Sequence, residues 1–262
     1  MSGPRFDTRR KLALLTLLSV PAQVPPTIAE AQTAAMPAAN GALYYGVEWR
    51  LIDAGRAKLN WTASSQASHP GWQINLHLES TGLVSKLYKV NDDYMAELGR
   101  ELCVQNTHTV THEGSRQRDT VVHFDAGTKK ASYLERDLAS HAVLSLETDI
   151  PSCVHDVVGG LFFLRTQNLE PGHSLEVPVS DGKKTVSAKV EVQDREQIKV
   201  PAGTFKTIRC EAFLFDGKLY RRPGHLYVWL TDDARKLPVR IQVRLHFTIG
   251  TITLQLEKEG RT

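Results

Sequence analysis

Val239-Arg240-Ile241-Gln242-Val243-Arg244-Leu245-His246-Phe247 alternates apolar and polar side chains over nine positions. Successive side chains of a strand point to opposite faces, so the pattern describes one dry face and one wet face. The same period returns in Trp72-Gln73-Ile74-Asn75-Leu76-His77-Leu78, in Val186-Ser187-Ala188-Lys189-Val190-Glu191-Val192, and in Ile252, Leu254 and Leu256. Parallel strands covered by helices on both faces read instead as continuous apolar runs. Further strands are expected at 44–52, 55–62, 95–105, 120–124, 130–134, 141–146, 174–178, 205–215 and 225–231. Between them stand Asp125-Ala126-Gly127, Asp181-Gly182, Pro201-Ala202-Gly203, Asp216-Gly217 and Pro223-Gly224. Glycine reaches positive φ and proline presets φ, which makes these turns. The fold class is mainly β: an antiparallel curved sheet forming a barrel, half-barrel or sandwich.

One segment departs from the period of two. In residues 151–165, Val154, Val157, Val158, Leu161 and Phe162 fall at helical spacing. This predicts one short buried helix near residues 153–166, lying on the concave face of the sheet. Ser152 is the expected N-cap, and Asp156 falls in the first turn, where the helix dipole favours an anion. Gly159-Gly160 weakens such a helix by about 1 kcal/mol per glycine unless a close backbone crossing requires it.

The N-terminus has another character. Arg5, Arg9, Arg10 and Lys11 precede the apolar run Leu12–Val20, which leads through prolines to Ala29-Glu30-Ala31. Basic, apolar, then small is the order of a secretory signal peptide. The apolar run falls well short of the roughly 20 residues that span a bilayer. The expected organisation is a signal peptide over 1–31, a leader over 32–42 and one β-rich domain over 43–258, with no transmembrane segment in the mature chain. Export to the periplasm or the extracellular space follows. Outside 1–31 the chain keeps 28 basic and 27 acidic residues. That balance gives no case for a nucleic-acid partner or an anionic membrane surface.

Four stretches resemble a family. They are Tyr45-Gly46-Val47-Glu48-Trp49 with Ala54-Gly55-Arg56-Ala57; Leu161–Arg165; Val200-Pro201-Ala202-Gly203-Thr204-Phe205; and Trp229-Leu230-Thr231-Asp232-Asp233-Ala234-Arg235-Lys236-Leu237-Pro238-Val239. They are similar to the bacterial envelope proteins known only as domain of unknown function 3108. The resemblance spans nearly all of residues 43–257. It implies an exported β protein and carries over no catalytic residue.

The residue types that do chemistry are sparse. Asp232-Asp233 is a carboxylate pair, but strand neighbours face opposite ways, and a turn paired with Arg235 accounts for it. His155-Asp156 would orient a general base only if both side chains faced one site. His108 and His112, four apart on an extended chain, stand roughly 13 Å from one another, too far for one metal ion. No metal and no cofactor is expected. The aromatic candidates for an apolar pocket are Trp49, Trp61, Trp72, Phe162 and Trp229, since curved sheets often hold ligands in their concavity. Of Cys103, Cys153 and Cys210, the last shares a face with Ile208 and Ala212, so a single disulfide would join Cys103 to Cys153.

The expected activity is non-enzymatic binding of an apolar or amphiphilic ligand, such as a lipid, or of an envelope partner. The alternatives are a hydrolase acting on an envelope polymer through His155, Asp156, Asp232, Asp233 and Arg235, or a structural assembly factor. The address is testable first. The mature N-terminus is expected between Gln32 and Pro37, and mass spectrometry of protein from the cell envelope checks it; a stable form beginning at Met1 or Ser2 refutes export.

Overall fold

The computed structural model describes residue 3 and residues 40–64, 70–217, 219–245 and 250–260. Apart from residue 3, the expected signal peptide lies outside these residues, as do nearly all of the leader, His246 and Phe247. The alternating segments form β1 (Asn40–Trp49), β2 (Ile52–Ala63), β3 (Gly71–Ser80), β4 (Asn91–Gly99), β5 (Val104–Glu113), β6 (Arg116–Asp125), β7 (Lys130–Asp137) and β8 (Val143–Asp149). After a helical interval come β9 (Ser174–Ser180), β10 (Thr185–Val200), β11 (Gly203–Ala212), β12 (Gly224–Thr231), β13 (Pro238–Leu245) and β14 (Thr251–Gly260). All belong to one antiparallel sheet in the order β8-β7-β6-β5-β4-β3-β2-β1-β14-β13-β12-β11-β10-β9. The chain therefore makes two meanders. Its first and last strands join them at the centre, where Tyr45 pairs with Leu256. The sheet is curved and not closed: β8 and β9 remain its edges.

Among the described residues the helices are α1 (Gly82–Leu87) and α2 (Val157–Leu164). The sequence reading holds no counterpart to α1, which has six residues, none of them buried, and so carries no apolar period. It also runs 95–105 as one strand, whereas the chain turns at residues 100–103 between β4 and β5, with Leu102 at φ 65° and buried. The N-cap of α2 is Asp156, not Ser152. Residues 153–155 are held by other bonds and cannot enter the helix.

Those bonds join the halves of the sheet. The Val104 amide donates to the Val154 carbonyl at 2.8 Å. The His155 amide donates to Pro178 O at 2.9 Å, and the Ser180 amide donates to His155 O at 2.8 Å. Two residues thus link the start of β5 to edge strand β9. Cys103 and Cys153 form the disulfide beside this link, with Cα atoms 5.1 Å apart.

From that anchor α2 lies between two apolar clusters. One gathers Leu43, Tyr45, Leu59, Trp61, Ile74, Leu98 and Phe162; the other gathers Leu164, Val177, Val190, Ile208, Val228 and Leu230. Phe163 packs against both. Phe162 is fully buried, its ring edge-on to Trp61 at 5.4 Å. On β13, Val239 is buried, while Ile241, Val243 and Leu245 are only half-buried. Arg240 and Gln242 are also half-buried rather than exposed, because the outer face has its own ladder: Arg240 donates to Lys199 O and Gln255, and Gln242 to Thr253.

Phe162→Ala should lower the unfolding free energy by about 3–5 kcal/mol, the range for emptying a large aromatic site. Leu146→Ala, at a 40% exposed position of edge strand β8, should change it by much less, about 1 kcal/mol or under. Denaturant melts of both variants check the difference.

Candidate functional site

β5 carries Thr107, Thr109 and Thr111 at alternate positions, and all three face the concavity. Thr107 pairs with Ala96 and Thr109 with Tyr94, so small side chains occupy places where leucines would fill the interior. Above this face stand Val157 and Val158 of α2 and the β9–β10 turn at Ser180 and Asp181. The space left between is a cavity of about 350 Å³. Its apolar wall comes from Leu76, Leu78, Val122, Phe124 and the two valines, and Tyr220 closes it from the second meander.

The turn that caps the cavity is fixed by shape. Gly182 has φ +82°, and a Cβ there would come within 2.6 Å of Val122. Glycine alone satisfies both conditions. Lys183 then lies 4.6 Å from the Tyr133 ring and pairs with Glu135. Thr148 donates to Lys183 O and Thr185 to Asp149 O, so the turn also draws in the end of edge strand β8.

Two polar groups converge on the cavity. Tyr94 donates its hydroxyl to Asp156 Oδ2 at 2.5 Å. The same carboxylate caps α2, accepting the amides of Val158 at 2.7 Å and Gly159 at 3.1 Å. Burial pushes the Asp156 carboxyl up despite these donors, and burial also raises the Tyr94 phenol. A Cβ on Gly159 would stand 2.6 Å from Asp156 Oδ1, so the close crossing that justifies this glycine is the cap itself. Nearer the rim, Asp92 accepts the His112 amide at 2.8 Å, and burial raises its carboxyl too. The buried Thr111 hydroxyl has no hydrogen-bond partner among the described residues. The lining includes Asp92, Asp156 and Asp181 and no lysine, arginine or histidine.

A larger depression of about 670 Å³ lies over the disulfide. Turn backbone and polar side chains such as Arg100, Glu101 and Asp125 form much of its wall, and it has no comparable apolar interior.

Of the residues singled out by sequence, Asp156 alone lines the concave cavity. His155 is 2% exposed, hydrogen-bonds Leu102 O through Nδ1 at 2.9 Å and stacks on Phe163 at 4.5 Å. It makes no hydrogen bond to Asp156. Asp232 pairs with Arg195. Asp233 accepts the Thr231 hydroxyl and pairs with Arg235; burial opposes its ionisation, yet these donors hold the carboxyl below its usual value. The two acids therefore face different partners, and their turn meets the far end of α2, where Arg165 donates to Arg235 O.

The five aromatic candidates also stand elsewhere. Trp61 and Phe162 fill one another's space in the core. Trp229 donates to Glu196 on the outer face. Trp72 packs half-buried against the first cluster, and Trp49 lies under Arg50 at the end of β1. His108, on β5, bonds Asp119 at 2.8 Å. Among the described residues no group of three or more His, Cys, Asp or Glu is placed to hold a metal. Cys210 is a buried free thiol, pushed up to about 12 by burial.

Tyr94, Asp92, Tyr220 and the threonines also line this cavity, and none of them stands among the residues expected from the sequence. The signal for the threonines lies in the string Thr107-His108-Thr109-Val110-Thr111: the residues in register are threonines, and His108 and Val110 between them belong to the opposite face.

The profile of the family described as a protein of unknown function, DUF3108, matches residues 43–257. No curated protein matches the chain. A solved β-barrel-like protein of domain of unknown function DUF1849 from Brucella abortus is similar in fold, with TM-score 0.58 and 8% identity over 87% of this chain and 100% of its own. A protein of YmcC-like fold from Bacteroides fragilis aligns over 86% of this chain and 97% of its own, at 8% identity and TM-score 0.37, too low to carry an argument.

His155 gives this junction a pH dependence. Burial lowers its pKa from the ordinary 6.5. A base with a lowered pKa stabilises the fold fully above its unfolded value and ceases to do so as pH falls through the folded value. As pH falls below 6.5 the protein should lose stability more steeply than His155→Asn, which keeps a donor for Leu102 O. The raised carboxyls of Asp156 and Asp92 act in the opposite sense but are common to both proteins. Equal slopes in urea titrations refute the assignment.

Proposed function

Because the chain belongs to the DUF3108 family of proteins of unknown function, its role has to be read from its own site, and we propose that it binds an apolar or amphiphilic molecule in the concavity of its sheet. The observation that carries this reading is the cavity itself: an apolar interior left unfilled by the inward threonines of β5, with polar groups gathered at defined points. Such a combination of apolar wall and few convergent polar groups is the usual make-up of a small-molecule site.

Charge narrows the ligand. Three carboxylates and no cationic side chain line the walls. An anionic headgroup would meet like charge in a poorly solvated place. A neutral or cationic amphiphile fits instead, with a hydroxyl or ammonium donating to Asp92 and accepting, where it can, from the Thr111 hydroxyl. The role is binding without chemistry: the five residues weighed as catalytic occupy two separate places, and each has structural partners. The protein would work outside the cytoplasm, in the periplasm or beyond. The basic, apolar and small order of residues 1–31 supports that address, as does the Cys103–Cys153 disulfide, since such bonds persist in oxidising compartments.

A neutral fluorescent amphiphile, N-phenyl-1-naphthylamine, tests the reading. It should bind with enhanced fluorescence, be displaced by neutral and cationic single-chain amphiphiles, and be displaced far less by a fatty acid. Thr109→Trp fills the cavity and should weaken binding about tenfold or more, the effect of losing about 1.4 kcal/mol. Binding that is absent, or indifferent to Thr109→Trp, overturns it.

A further inference from the structure

The rim beside Asp92 is built unlike the rest of the surface. α1 bridges β3 and β4 there and contacts the start of β2, to which the Thr81 amide is tied through Ala54 O. It buries none of its residues. Leu83 is 64% and Leu87 73% exposed, and Tyr88 follows at 52%. The β1–β2 turn belongs to the same rim, because Gly55 of β2 pairs with Ser80 at the end of β3. At its tip Leu51 is 91% exposed and Ile52 51%. Arg50 and Leu51 both hold positive φ, 50° and 69°. Two-residue hairpin turns of that conformation ordinarily use Asn-Gly. The backbone here is strained in order to present an arginine and a leucine, and strain of that kind gathers at functional positions.

The charges of this rim select a partner. Lys86 and Lys89 are exposed beside the leucines and, among the described residues, neither has an ion-pair partner. Two nearby acids are already paired, Asp53 with Arg56 and Glu113 with Arg116. Apolar side chains with lysines and a tyrosine between them form the composition that lies in a membrane interface, and lysines next to an anionic bilayer add attraction. Leu78 and Asp92 line the cavity and pair with each other across β3 and β4, two residues from the end of β3. The apolar lip and the cavity therefore share one rim.

We propose that α1 and the β1–β2 turn dock the protein on a bilayer surface that contains anionic phospholipid, with Leu51, Leu83, Leu87 and Tyr88 entering the interface and Lys86 and Lys89 facing the headgroups. The docking face stands on residues outside the cavity, so it is independent of whether the cavity is filled. The near-neutral net charge of the chain does not oppose it, because attraction falls off within a Debye length and only the charges of the rim approach the surface.

Flotation with vesicles tests this, using protein from the cell envelope with its N-terminus verified and variants with that same N-terminus. Vesicles of equal parts phosphatidylcholine and phosphatidylglycerol should carry the protein upward. Phosphatidylcholine alone, or high salt, should carry about tenfold less. The double variants Leu83→Ser/Leu87→Ser and Lys86→Glu/Lys89→Glu should each lose about tenfold or more, with unchanged thermal melts because all four side chains are exposed. Leu146→Ser, at a partly exposed position of edge strand β8 away from this rim, and the cavity variant Thr109→Trp should float like the wild type. Failure of the wild type to float, or flotation of either double variant equal to that of the wild type, overturns the proposal. A dimer in solution that Leu83→Ser/Leu87→Ser dissociates also overturns it, since a second copy would then be the occupant of this face.

Discussion

The three backbone hydrogen bonds of Val154 and His155 hold this molecule in its working shape. Two antiparallel meanders joined through the β1–β14 pair have no reason of their own to curl tightly, because every other ladder is a local hairpin satisfied by its neighbour. The link from β5 through Val154 and His155 to β9 is a long-range constraint across the concavity. It places the start of α2 under the β9–β10 turn, and the Cys103–Cys153 bond holds it beside the turn between β4 and β5. Closing a loop of 50 residues stabilises by about 4 kcal/mol in the chain-entropy account, so this covalent tie matters as much as a large core side chain.

The two ends of α2 are stabilised differently. At its start, a buried carboxylate receives two amides and a phenol, which offsets the loss of solvation. At its end, Arg165 is 3% exposed and, among the described residues, pairs with no carboxylate, and its Nε and Nη1 have no hydrogen-bond partners. The guanidinium lies 5.1 Å from the Trp61 ring centre and 5.0 Å from that of Phe162, and donates to Arg235 O. Burial brings its pKa down to about 10. Attraction to two ring faces is stronger where water is excluded, and it partly replaces the missing anion. The arginine thereby ties α2, β2 and the β12–β13 turn together through one side chain.

Charge is divided by place rather than by amount. The cavity wall carries acids and the neighbouring rim carries lysines, although the domain as a whole is nearly neutral. A cavity that disfavours anions beside a lip suited to an anionic surface would keep phospholipid headgroups out while the rim rests against them. Electrostatics then acts as selection, which depends on local arrangement and not on total charge.

Period-two alternation, as in residues 72–78 and 186–192, determined the antiparallel sheet, because strand geometry sends alternate residues to opposite faces whatever the rest of the chain does. A helix near 153–166 was legible from the spacing of Val154, Val157, Val158, Leu161 and Phe162, and the structure confines it to 157–164 because the backbone of Val154 and His155 is taken up by the link to β5 and β9. The Cys103–Cys153 pair followed from the buried pattern around Cys210. The cavity was not legible. Trp49, Trp72 and Trp229 look like pocket residues by size, yet large side chains tend to fill space, and an opening is made by small ones such as Thr107, Thr109 and Thr111. Tyr94 and Asp156 are 62 residues apart, and nothing local in either predicts their bond. The lip was hidden as well, since α1 is too short to show a period. Local side-chain periodicity is written in the chain one neighbour at a time. Which faces meet across the concavity depends on the curvature of the whole sheet and on the link at His155, and only the tertiary structure decides those.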